Sequence, residues 1–206
     1  MQQALLQLAA RLCRGELPGA LFGQPAVTLD ASSEDNATSV LGPRYLAAGG
    51  DPRMLGFTTV PVSFPADFER LRRTVLDNHA RLVIVEPLSG ALGGRVDTHR
   101  DADVRAVLGR LRSIACDAGA TIVGIGHLTK ASGAAPLDRL LGSRAFPAAA
   151  RSVLLLGSHG DVLALASVKS SYGLKPTPLG LAVEGRTLEV DDKQINTSTV
   201  RLLGVP

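Results

Sequence analysis

Four apolar runs in this 206-residue sequence end on, or begin beside, groups able to handle phosphate and water. Residues 26–29 lead into Asp30-Ala31-Ser32-Ser33-Glu34-Asp35, and residues 82–85 lead into Glu86-Pro87-Leu88-Ser89. His127-Leu128-Thr129-Lys130 follows residues 121–125, and Arg151 directly precedes residues 152–156. A carboxylate to orient water, a second for a hydrated magnesium ion, a polar group near a γ-phosphate and an arginine are the usual parts for phosphoryl transfer. The set says more than any member.

Each residue also has a plainer reading. Glu34 and Asp35 would favour the first turn of a following helix through its dipole. Glu86 follows four apolar residues, so its carboxylate would be costly to bury unpaired, but a structural hydrogen bond would satisfy it. His127 fits a satisfied structural histidine, and Arg151 fits a solvated or ion-paired side chain. Asp97-Thr98-His99-Arg100-Asp101-Ala102-Asp103 has the composition of a metal loop. It reads better as a helix start, with Asp97 or Thr98 as the cap and two acids in the first turn.

The elements that must position these groups are legible from apolar patterning. Runs at 26–29, 54–57, 82–85, 121–125 and 152–156 are mostly short and uniformly apolar, which predicts strands buried on both faces. Helical spacing at 4–14, 36–48, 65–78, 101–118 and 137–149 alternates with them, so the fold class is α/β, a mostly parallel sheet flanked by helices. In such a sheet ligands bind beyond the carboxyl ends of the strands, where the groups above fall. After Arg151 the pattern changes to closely spaced strands at 153–156, 162–168, 179–183 and 187–190, expected as antiparallel strands on one edge of the sheet. Residues 1–190 thus read as one core and residues 191–206 as a poorly ordered polar tail.

Composition narrows the partners. Hydrophobic residues make up 45% of the chain, enough for one α/β core and cramped for two. The net charge of +3 permits a nucleic-acid partner, while 3% aromatics and no Trp argue against stacked aromatic platforms. Cys13 and Cys116 lack metal spacing and read as reduced, core-facing thiols. Neither a long apolar span nor a signal-peptide layout is present, and the expected location is cytoplasmic, with no membrane partner.

The order of these segments resembles the RepA-like, hexameric-helicase branch of the RecA ATPases, an AAA family ATPase group. The match runs over residues 5–183 and rests on Leu8-Ala9-Ala10-Arg11-Leu12, Ala31-Ser32-Ser33-Glu34-Asp35, residues 82–88, His127-Leu128-Thr129-Lys130, and Gly142-Ser143 through residues 150–155. The resemblance implies ATP and Mg2+ as cofactors and a homo-oligomer, a hexamer-like ring, as the assembly. It implies Glu34 as general base, Glu86 in the place of the Walker B aspartate that holds a magnesium-bound water, and His127 as sensor of the γ-phosphate. Arg151 would be an arginine finger reaching a neighbouring subunit's site, and Lys130 and Lys169 cations near the phosphates.

Two departures accompany it. Glu86 stands where the family has Asp, and its extra methylene pushes the carboxylate further than an octahedral magnesium shell readily accepts. No G-x-x-x-x-G-K-[ST] segment occurs in the sequence, so the chain is expected to begin just after the phosphate-binding P-loop, with that loop's strand missing. Two functions follow: an ATP-hydrolysing domain of helicase or recombination type with impaired activity, or a non-catalytic partner subunit that lends an interface and Arg151. A metal-dependent hydrolase built on residues 97–103 is a third.

Overall fold

Along β3 (Ala80–Glu86) alternate side chains enter two different cores. Leu82 and Ile84 pack with α1 (Gln2–Cys13) and α2 (Gly42–Ala47), whereas Val83 and Val85 pack with α3 (Phe68–Asp77) and α4 (Asp101–Ala118). A strand buried on both faces needs apolar residues at every position, which is why its sequence shows a run and not an alternation. In this computed structural model, which describes residues 1–94, 96–128, 145–159 and 162–204, β3 lies inside a four-stranded sheet. Its neighbours are β1 (Val27–Ser32) and β4 (Thr121–Gly124), with β2 (Leu55–Phe57) outside β1, and every pairing is parallel. Strand order is β2-β1-β3-β4.

The helices form for local reasons that also aim the chain. In α4, Val104, Val107, Leu111 and Ile114 make the buried stripe, and Gly119 ends the helix at φ 59 with its N–H on Ala115 O. Burial of each such side chain contributes roughly 1.5–3 kcal/mol. Cys116 lies off that stripe and is exposed, contrary to the expectation of two core-facing thiols; Cys13 is buried. The helix expected over 36–48 is split. Asn36 accepts from the N–H groups of Thr38 and Ser39 and opens a π-helical turn, Ala37–Leu41, that runs into α2. Pro43 has no N–H to offer an α-helical ladder, and the turn before it widens so that Leu41 and Gly42 donate to Asn36 O and Ala37 O.

Beyond Arg151 the strands are antiparallel, as expected, but they form a second sheet and not an edge of the first. It comprises β5 (Ser152–His159), β6 (Val162–Ser170), β7 (Leu179–Val190) and β8 (Lys193–Gly204), paired in that order. Residues 152–156 therefore do not join the parallel strands, and Leu154 is exposed. The short helix α5 (Ala145–Ala149) precedes β5. The rest of the helix expected over 137–149 lies outside the described residues.

The largest departure is at the C-terminal end, where a polar tail was expected and β8 pairs with β7 from Lys193 to Gly204. Asp191 and Asp192 both adopt positive φ, 48° and 60°, and close a two-residue turn of the kind whose twist suits a hairpin. Short Asp side chains tolerate that conformation. On β8, Val200 is buried, Thr199 donates to Gln7 Oε1 at 3.0 Å, and Ser198 accepts from Gln3 Nε2 at 2.7 Å. The hairpin is thereby tied to α1.

Candidate functional site

Parallel pairing brings the carboxyl ends of β1, β3 and β4 to one edge of the sheet. Ser32 is in register with Glu86, and Val85 with Gly124. Ser33 N donates to Glu86 O at 2.8 Å and Ile125 N to Val85 O at 2.9 Å, so the loops leaving β1 and β4 stay anchored to β3 for one more residue. Glu34 and His127 leave these loops toward each other, with His127 Nε2 3.3 Å from Glu34 Oε2. Glu86 completes the group: one ligand atom from each of Glu34, Glu86 and His127 lies within 4.8 Å of the others.

Their environments differ. Glu34 and His127 are about half exposed, at 49% and 52% of their side chains, whereas Glu86 is 7% exposed and its Oε2 has no hydrogen-bond partner. Burial, then the nearby charges of Glu34 and Asp30, push the Glu86 carboxyl up to about 7. The plain reading of Glu86 as a hydrogen-bonded structural acid fails for that oxygen. Asp35 is occupied otherwise, accepting from Arg44 Nη1 at 2.8 Å, so the two adjacent acids part, one holding α2 and the other facing His127.

A fourth acid escaped separate notice in the sequence. Asp30, on β1 and 1% exposed, accepts from Ser32 N and Ser32 Oγ, while its Oδ2 has no partner. Burial raises its carboxyl above the ordinary range and the Ser32 hydrogen bonds oppose this. Gln2 Nε2 donates to Ser32 Oγ at 2.8 Å, linking the start of α1 to this buried acid. An acid in the middle of an apolar strand was the available signal.

Arg151 and Lys169 are placed elsewhere. Together they line a separate cavity of about 380 Å³ beside α4, whose lining includes none of Glu34, Glu86 and His127. Lys169 Nζ donates to Pro147 O at 2.8 Å and Ala148 O at 2.7 Å, carbonyls of α5. Lys130 lies outside the described residues. The loop at 97–103 is satisfied within itself: Asp97 accepts from His99 N, Asp103 accepts from Asp97 N, and no side-chain cap joins the helix start.

Three strand ends present two carboxylates and an imidazole at one edge of a parallel α/β sheet, where such sheets place their ligands, and these are groups of the kind phosphoryl transfer uses. The comparison with family models agrees: an AAA domain model matches residues 4–133, and the chain belongs to that family. No curated protein matches the chain. Membership makes this a nucleotide-binding, AAA-type P-loop NTPase-like domain. No described helix is long and apolar enough to cross a membrane.

The donor set suits the divalent ion that accompanies nucleotides. The partnerless Oε2 of Glu86 and the repulsion among Glu34, Glu86 and Asp30 would both be relieved by a cation. Glu86 is the residue that would hold magnesium, directly or through its water, and the ion would supply charge neutralisation at phosphate oxygens.

Proposed function

We propose that the domain binds ATP with magnesium at the Glu34, Glu86 and His127 edge, as a cytoplasmic relative of replication helicases or recombination ATPases. The observation that carries this reading is the convergence of those three side chains within 4.8 Å from the ends of three different strands. Glu34 accepts the proton of the attacking water, and its exposure leaves it accessible to that water. Glu86 holds magnesium, and His127 donates to a γ-phosphate oxygen after leaving Glu34. With no Walker A segment in these 206 residues, turnover is slow. Phosphate release with and without magnesium, beside binding of a fluorescent ATP analogue, tests the proposal. Magnesium-dependent binding that Glu86→Gln abolishes supports it, and absence of binding up to millimolar nucleotide refutes it.

A second reading has its own observation. Arg151 is exposed, its side chain has no partner among the described residues, and it lines a cavity whose lining holds no carboxylate. In a homo-oligomer, a ring of hexamer type, it would serve a neighbour's nucleotide, and the chain would be a partner subunit more than a catalyst. Light scattering of the purified chain at micromolar concentration decides this: a monomer at every concentration excludes it.

A further inference from the structure

The cavity that receives Arg151 and Lys169 has more cations than those two. Its other wall is a stripe of α4 in which Arg105 and Arg112 flank Leu108 and Gly109. Positions 105, 108, 109 and 112 repeat at the spacing that puts side chains on one helix face. Four cationic side chains therefore share a cavity of about 380 Å³ with no acidic residue in its lining. Like charges gathered at one place oppose folding unless a ligand uses them. The side chains of Arg105, Arg112 and Arg151 have no hydrogen-bond or ion-pair partner among the described residues, whereas Arg14, Arg44, Arg53, Arg70, Arg72 and Arg110 are paired with acids. Arg73 and Arg100 are likewise unpaired there, so what sets the first three apart is that they share one cavity with Lys169. Lys169 is held in place by the α5 carbonyls.

We infer that Arg105, Arg112, Arg151 and Lys169 form one site for a run of consecutive phosphates in the backbone of a nucleic-acid strand. Two features favour a strand over a single nucleotide. Arg105 and Arg112 are two helical turns apart, about 10.5 Å at 1.5 Å per residue. That span is more than one phosphate group can bridge, so the two guanidinium groups would meet different phosphates of a strand. The lining also has no aromatic residue, and Leu108 is the large apolar side chain in it, so a base gains no stacking surface. Contact through phosphates alone positions a strand without reading its sequence. The inference does not rest on ATP hydrolysis, and no nucleotide is needed to test it.

Binding of a fluorescein-labelled oligothymidylate of about 20 nucleotides, followed by anisotropy over a salt series, is the test. Four phosphate contacts on a single strand predict a log-log salt slope near −2.8, at roughly 0.7 for each contact. Replacing Arg105 and Arg112 together by Gln should weaken binding at low salt at least tenfold and make the slope shallower by about 1.4. Both side chains are exposed and unpartnered among the described residues, and Gln is a good helix former, so circular dichroism should be unchanged. A charge-matched control, Arg73→Gln with Lys193→Gln, should bind within about twofold of the parent. An oligonucleotide of mixed sequence should bind equally well. Equal weakening in the control and the α4 variant, or no binding at low salt, overturns the inference. Displacement of the strand by tripolyphosphate at matched phosphate concentration, with wild-type affinity kept in the α4 variant, also overturns it and points instead to a nucleotide presented by a second copy.

Discussion

His127 Nε2 sits 3.3 Å from Glu34 Oε2, a contact between residues 93 positions apart that exists because β1 and β4 end on either side of β3. Both side chains are about half exposed, so the pair adds less than about 1 kcal/mol to stability. Its consequence is chemical: each group is held where the other can hand it over to a ligand.

Glu34→Gln should therefore keep the fold and nucleotide affinity while reducing phosphate release by roughly 10²–10⁴-fold, the usual contribution of a general base. Steady-state kinetics beside analogue binding would show the split. Equal loss of binding and turnover would instead make Glu34 a ligand-holding residue.

Glu86 predicts a stability profile with a defined sign. Its carboxyl ionises near 7 when folded against 4.5 ordinarily, so the folded state binds the proton more tightly. Stability falls as pH rises from about 4.5 through 7, and ionised Glu86 costs on the order of 3 kcal/mol above that range. Glu86→Gln should melt several degrees higher than the parent at pH 8 and nearly with it at pH 5. Parallel melting curves at both pH values would contradict the environment described for Glu86.

Gly50 is pressed against α2. A Cβ added there would lie 2.3 Å from the Tyr45 ring, which is itself buried. An aromatic ring cannot fold away as a flexible chain end does, so Gly50→Ala should cost about 1–3 kcal/mol in chemical denaturation. Gly109→Ala, with open space at its Cβ, should be neutral or slightly stabilising in its helix.

The two thiols should separate by reactivity. Cys116 is exposed, and Cys13 is buried with Sγ bonded to Ala10 O. A thiol-reactive chromophore should label one cysteine per native chain and both after denaturation, because access to the thiolate controls the rate. Two native equivalents would mean that α1 is not seated as described.

Much of this molecule was legible before its structure. The uniform apolar run at 82–85 announced a strand buried on both faces, and residues 101–118 showed the full extent of α4, since periodicity is a local property of the chain. The run at 121–125 announced a strand, but β4 is an edge of its sheet and is only half-buried, because burial depends on a neighbour that the run itself does not specify. Chemistry at strand ends followed from the parallel class, and Glu34, Glu86 and His127 do meet there. The β7–β8 hairpin was hidden because residues 193–199 are largely polar. Their alternation around Ile195 and Thr197 was the available signal, and pairing with β7 plus contact to α1 made them a strand. Which cations gather was likewise invisible. Arg105 and Arg112 are unremarkable charges on a helix until α5 and β6 bring Lys169 and Arg151 to the same cavity. The sequence alone determined the element types and the reactive groups at their ends, because these depend on neighbours in the chain. Only the tertiary structure decided that Arg151 and Lys169 stand apart from the three-residue edge, because that depends on how two separate sheets pack around the helices.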